Sequence, residues 1–338
     1  MDEILEKIEE LKIKITLLEE SQRRLLDADL FHGNLNDYFQ SILGKYRYYM
    51  YDLLMNFDKE THHSIRTNIL HNISTPVYNP LYLIQQIIRI LLKKLNRTCY
   101  TNGLKYWLEL STLNSISIVG DLAPGDNHGT IGMPLKDIEK LIDIFKDDPD
   151  YYVKITYSYT QKGYIKLYRF MLRECEDTFI DLFSYHYSDY NTILNKGKYW
   201  DQVNKLRENY AFESNTLQEL INANPELSIG REAIVQKYIK MQDDIICINN
   251  DNGALFWGIE NFAYGRDNIL NSKKLFPLKK MDLWGEEFYC PNDKNYLQNL
   301  RGIDCYSLPN LEWGKANKIQ TEKINFLNDI IQKHSNKL

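Results

Sequence analysis

Three runs in the middle of the chain, YYVKITYSYT from Tyr151, GYIKLYRFML from Gly163 and TFIDLF from Thr178, alternate apolar and polar residues with a period of two. Successive side chains on a strand point to opposite faces, so this spacing predicts strands and commits the chain to a sheet. The shorter runs YWLEL and ISIVGDL are read as strands too. Around them the period changes. Leu81 to about Leu95 has helical spacing, PLKDIEKLIDIF from Pro134 predicts a helix, and the stretch from Tyr190 to about Asn249 is helical again.

Pro76 and Pro80 in STPVYNP break the chain, because proline lacks a backbone donor and restricts the residue before it. Upstream, Ile4, Ile8, Leu11, Ile15, Leu18 and Leu25 follow alternating steps of four and three, with Gln22 at the missing seam position. Glu and Lys flank this seam, which reads as a short coiled coil over 1–27 and predicts a homo-oligomer joined through that helix. A single amphipathic helix packed on the body is the alternative. Residues 28–80 read as an irregular helical collar, 81–320 as the main domain and 321–338 as a C-terminal helix or tail.

Composition narrows the function classes. A hydrophobic fraction of 43% allows a sizeable core, and 46 acidic against 41 basic residues lack the basic excess expected of a nucleic-acid binder. Cys99, Cys175, Cys247, Cys290 and Cys305 form no C-x-x-C pair, and their odd number argues against a closed disulfide framework. The longest apolar stretch, Leu81 to Leu95, contains Gln85, Gln86, Arg89, Lys93 and Lys94, and is too short and polar for a transmembrane segment. The opening MDEILEKIEE is acidic and amphipathic, unlike a signal peptide, so a cytoplasmic protein is expected.

The segment GDNHGTIGMP, Gly125 to Pro134, carries the first candidate chemistry. If Asp126 to Met133 enters a strand, Asp126, His128 and Thr130 share a face and make a plausible metal cup. The same residues are also good turn formers.

The longer run YWLELSTLNSISIVGDLAPGDNHGTIGMPLKDIEKL resembles the signature block of the LicD family, which includes phosphocholine transferases and fukutin-type polyol-phosphate transferases. That pattern has a Y-W-L strand, a G-T-L-L-G turn, an arginine, I-P-W-D-D-D-I-D-I-G-M-P and a helix. Tyr106, Trp107, Leu108, Thr112, Leu113, Pro124, Asp126, Ile131, Gly132, Met133 and Pro134 fall on matching positions. A second block, Leu275 to Pro309, resembles the family's C-terminal element, and the helix from Leu81 resembles the segment that precedes the first block. The resemblance implies an α+β, nucleotidyltransferase-like fold: a mixed sheet flanked by helices, with the N-terminal coiled-coil extension added. It also implies transfer of a substituted phosphate, such as phosphocholine or a polyol phosphate, from a CDP-linked donor to a surface glycan, with release of CMP. Such transfers rest on positioning and on neutralising phosphate charge, usually with Mg²⁺.

Several positions depart from the family pattern. Asp126 is kept, and Asp181 in FIDLF fits the family's later carboxylate, but the remaining cup positions are His128 and Thr130. The expected ligand set is therefore Asp126, His128, Thr130 and Asp181 around a divalent ion, Mg or Mn, with Zn admitted by the imidazole. Ser111, Thr112 and Ser115 stand on the phosphate-binding turn, where two of the family's glycines are serines, and the family arginine falls on Ile118. Lys279, after FPL, is a candidate cation for the diphosphate. The acid–base candidates are Asp126, Asp181 and His186, the last with Asp189 nearby. Trp257, Trp284 and Trp313 are a candidate aromatic shelf, with a core role favoured for at least two. Two expectations follow: an active LicD-like transferase, or a catalytically impaired relative that serves as a binding or scaffolding protein.

Overall fold

The computed structural model describes residues 80–122, 126–189, 198–246, 253–262, 269–293, 296 and 321–335. The coiled coil expected over 1–27, nearly all of the 28–80 collar, and Trp313 lie outside these residues. The chain divides into two compact units: Ile88–Asn114 with His128–Ser307, and Met1–Ile87 with Ser115–Asn127 and Leu308–Leu338.

Helix α1, Pro80–Asn102, is amphipathic and buries Ile88, Leu91, Leu92 and Leu95. The short strand β1, Trp107–Leu108, leads into helix α2, Leu110–Val119. Here the expectation of a strand over ISIVG fails. Thr112 to Ile116 are buried and Ser117 is exposed, and so short a stretch of alternation fits a turn of helix as well as a strand. The Leu113 amide donates to the Glu109 carbonyl and starts the helix. Strand β2, Gly129–Pro134, is wholly buried, and helix α3, Leu135–Ile144, follows at once, with Ile138 and Leu141 turned inward.

The three alternating runs are strands β3, Tyr151–Thr160, β4, Gly163–Leu172, and β5, Cys175–Ser188. Gly163 closes the first hairpin at φ +120°, and a Cβ there would lie 2.6 Å from the Tyr210 ring. Both reasons demand glycine. Helices α4, Lys198–Ala223, and α5, Gly230–Ile246, flank a 3₁₀ turn at Pro225–Ile229, where the Asn224 side chain accepts from the Glu226 amide. They pack on β4 through a cluster that contains Tyr164, Leu206, Tyr210, Val235 and Tyr238. Strand β6, Ala254–Trp257, helix α6, Ile259–Phe262, strand β7, Ile269–Asn271, and helix α7, Ser272–Leu275, follow. Strands β8, Lys279–Leu283, and β9, Glu286–Cys290, make a separate hairpin.

The main sheet runs β1-β2-β5-β4-β3, with β6 on the C-terminal half of β5 and β7 beyond it. Among the described residues only β2 and β5 pair in parallel, and the sheet is mixed. The architecture is α+β with flanking helices. Trp257 is in its core, stacked on Phe183 at 5.0 Å, while Trp284 lies under the Arg89 guanidinium. In the other unit, helix α8, Thr321–Ser335, buries Leu327, Ile330 and His334. Among the described residues no helix is long and apolar enough to cross a membrane.

Candidate functional site

Strand register assembles the site. Thr130 on β2 lies opposite Asp181 on β5, Arg169 on β4 lies opposite Asp181 from the other side, and Lys154 on β3 lies opposite Arg169. Laterally paired residues share a face, so Thr130, Asp181, Arg169 and Lys154 form one row across four strands. His128 and Phe179 sit two residues before Thr130 and Asp181 and project from the same face.

Asp181 is the centre of this row. The Arg169 Nε–H donates to its Oδ1 at 3.1 Å, and His128 Nε2 stands 4.0 Å from its Oδ2. The guanidinium carbon lies 4.1 Å from the centroid of the Phe179 ring, which also faces the His128 ring at 5.8 Å. Burial pushes the Asp181 carboxyl above its ordinary value, and His128 and Arg169 offset only part of that. Burial likewise lowers the His128 imidazole, against the pull of Asp181 and with the help of Arg169. Lys154 at the end of the row is tied to Glu176.

Thr130 and Thr112 latch α2 to β2. The Thr130 hydroxyl donates to the Glu109 carbonyl at 2.6 Å and accepts from the Thr112 amide at 3.1 Å, with Ser111 Oγ a further 3.2 Å contact. In return the Thr130 amide donates to Thr112 Oγ1 at 2.7 Å. Beside this latch the Glu109 carboxylate is buried, accepting from Trp107 Nε1 at 2.5 Å, Tyr296 at 2.6 Å and Tyr185 at 3.3 Å. Gly132 leaves room for it: a Cβ there would lie 2.7 Å from Glu109 Oε2. Burial, reinforced by Glu109, pushes the Tyr185 and Tyr296 hydroxyls far above their ordinary values.

The remaining expected residues divide between the two units. Asp126 and Ser115 belong to the other unit and are buried, and the Asp126 carbonyl accepts from the Gln85 amide at 3.2 Å. Lys279 is on the β8–β9 hairpin, where its ammonium donates to the Asn292 carbonyl. His186 has the opposite parity to Asp181 along β5 and so leaves the other face of the sheet. Its partners are Glu260, at 2.9 Å from Nε2, and Asp243, at 3.1 Å from Nδ1. Glu260 also accepts from Ser184 at 2.5 Å. Burial alone would raise the Glu260 carboxyl, but the His186 charge and the bonds from His186 and Ser184 hold it below its ordinary value. His186 and Asp243 open onto a cavity of about 420 Å³ that Lys136 and Lys240 also line.

Fitted to a divalent ion, the row falls short. A hard cation takes six or more oxygens, several of them carboxylate. Asp181 already holds a guanidinium, and the Thr130 hydroxyl accepts from the Thr112 amide while donating its own proton to the Glu109 carbonyl. Among the described residues no group of three or more His, Cys, Asp and Glu side chains is placed to hold a metal ion. Arg169, Glu109 and Glu260 were not singled out from the sequence, and Arg169 had a signal only once the register beside Asp181 was known. No protein-family model matches the chain, and no curated protein sequence matches it.

Proposed function

We propose that the chain is a LicD-like, nucleotidyltransferase-type protein that holds a CDP-linked donor with its catalysis impaired, and works as a binding or scaffolding protein. The observation that carries this is the Arg169–Asp181 bond, with its nitrogen 3.1 Å from the one carboxylate of the row. A guanidinium thus stands against the oxygen that a metal-dependent transferase would keep for its ion. The latch between Thr130 and Thr112 supports the same conclusion, because it turns a ligand position into a fixing point for α2. Asp181, on the strand that pairs in parallel with β2, stands where the LicD resemblance expects the later carboxylate, which supports the same comparison.

A second reading, an active transferase, is favoured by the His128–Asp181 pair at 4.0 Å. In that reaction an acceptor glycan hydroxyl attacks the distal phosphorus, the bond to CMP breaks, and the hydroxyl proton passes to the Asp181–His128 pair. Calorimetric titration with CDP, CDP-choline, CDP-glycerol and CDP-ribitol, with and without Mg²⁺ or Mn²⁺, tests both readings when joined to an assay for CMP release. Donor binding without CMP release supports the impaired protein. Release that Asp181→Asn abolishes would establish the transferase, and failure of all four ligands to bind would remove the LicD-like site. Self-association through residues 1–27 belongs to the same proposal, and light scattering over a range of concentrations reads it directly.

A further inference from the structure

We infer that Arg169 supplies the positive charge against which a phosphate of the ligand is held, so that binding at this row needs no divalent ion. The inference rests on the donor-binding proposal above and names the group that does the binding.

The geometry of the guanidinium carries it. Arg169 uses Nε for Asp181 and sets its guanidinium carbon 4.1 Å from the centroid of the Phe179 ring, two contacts that hold the head group in place. Its two Nη groups make no hydrogen bond to any described residue, and the side chain is 29% exposed. Four N–H donors on a planar fork therefore remain for a ligand, and such a fork can recognise two oxygens of one phosphate. His128, 38% exposed, stands at the other oxygen of the same carboxylate. Asp181 is thereby a positioning residue, with one cation-forming side chain on each of its oxygens. The first turn of α2 is latched to Thr130, the register neighbour of Asp181, so backbone amides approach the same row. Lys154, next along the row, is paired with Glu176 and contributes least.

Calorimetric titration of the full chain with inorganic pyrophosphate, CMP and CDP, in EDTA and again with Mg²⁺ or Mn²⁺, tests the inference. Pyrophosphate and CDP should bind in EDTA with affinities within about twofold of those with metal. Arg169→Gln should weaken both by tenfold or more, equivalent to roughly 1.4 kcal/mol. Arg169→Lys, which keeps the charge and loses the fork, should fall between. Lys237→Gln, on α5 and paired with Glu213 away from the row, should stay within twofold of the parent. Each variant is checked for a cooperative melt, and because Arg169 is partly exposed the fold should survive. Binding only in the presence of metal, or parental affinity in Arg169→Gln, would overturn the inference, as would no pyrophosphate binding at millimolar concentration. The two claims separate cleanly. Arg169-dependent pyrophosphate binding with no preference for CDP would sink the nucleotide-donor proposal and leave the oxyanion site. CDP binding that needs Mn²⁺ and ignores Arg169 would do the reverse.

Discussion

Removing the Glu260 carboxylate should be among the most damaging single changes to the sheet. Glu260 has no exposed side-chain surface and His186 is 5% exposed, with both imidazole nitrogens against carboxylate oxygens. With both carboxylates ionised, each ring nitrogen donates an N–H, and the pair is then ionic. Glu260→Ala takes the acceptor from His186 and Ser184 together and leaves a buried charge with one partner. Breaking a buried pair from one side costs about 3–5 kcal/mol, and His186→Ala should cost a similar amount. At a few degrees per kcal/mol for a body of this size, the melting temperature falls by roughly 10 °C. The double variant lacks both charges, so its loss should be smaller than the sum of the single losses by at least about 2 kcal/mol. Asp243 is 42% exposed, and Asp243→Asn should cost less than about 1 kcal/mol. Urea unfolding at pH 7 followed by tryptophan fluorescence measures all four. Additivity of His186→Ala and Glu260→Ala within about 0.5 kcal/mol would show that the contact is not an ion pair of consequence.

The same pair sets an acid limit. Because the Glu260 carboxyl is held below its ordinary value, it stabilises the fold above the unfolded value, near 4.3, and that stability is lost as pH falls through the folded value. Glu260→Gln should flatten the acid limb of stability against pH, and an unchanged limb would contradict this. Gly132→Ala should destabilise by about 1–3 kcal/mol, since the new methyl group meets Trp107 and Glu109 side chains that have no room to move. Gly163→Ala should cost a similar amount, roughly 1–3 kcal/mol, through φ +120° and the Tyr210 ring, and a neutral result in thermal unfolding would refute the close packing. Thr130→Val should cost about 1–3 kcal/mol by stranding the Thr112 amide, since the Glu109 carbonyl keeps the Leu113 amide, while Thr130→Ser keeps the latch and stays near the parent.

Period-two runs located β3, β4 and β5 because each has one face more exposed or more polar than the other, and helix α3 followed from its inward Ile138 and Leu141. A run of four residues alternates too briefly to separate helix from strand, which is why Ile116 to Val119 looked like a strand and is helical. His128 and Asp181 were legible as candidate partners, and the fold brings them to 4.0 Å. Arg169 was not, because a residue two strands away enters the row only if the β4–β5 register is known. That register has an irregularity between Met171 and Leu172, beside the turn. A slip of one residue would send Arg169 to the other face of the sheet. Glu260 was hidden for a related reason: it lies 76 residues from Ser184, on a helix of four residues with no periodicity of its own.

An acidic cup and the row seen here also differ in what stabilises them empty. Clustered carboxylates repel one another, and an ion relieves that repulsion. Asp181 faces Arg169 and His128, so the row is nearly charge-balanced before anything binds. A divalent ion about 5 Å from the guanidinium would meet a repulsion of roughly 7 kcal/mol at an effective dielectric constant near 20. Adding Mg²⁺ or Mn²⁺ should therefore leave the melting temperature unchanged, whereas a millimolar anion bound with a dissociation constant of about 10 μM would stabilise the fold by roughly 2.7 kcal/mol. Thermal unfolding in pyrophosphate, in Mn²⁺ and in both together reads the difference directly. A rise with Mn²⁺ alone that Asp181→Asn removes would mean that the guanidinium yields its place to the ion, and the row would then have to be understood as a metal site.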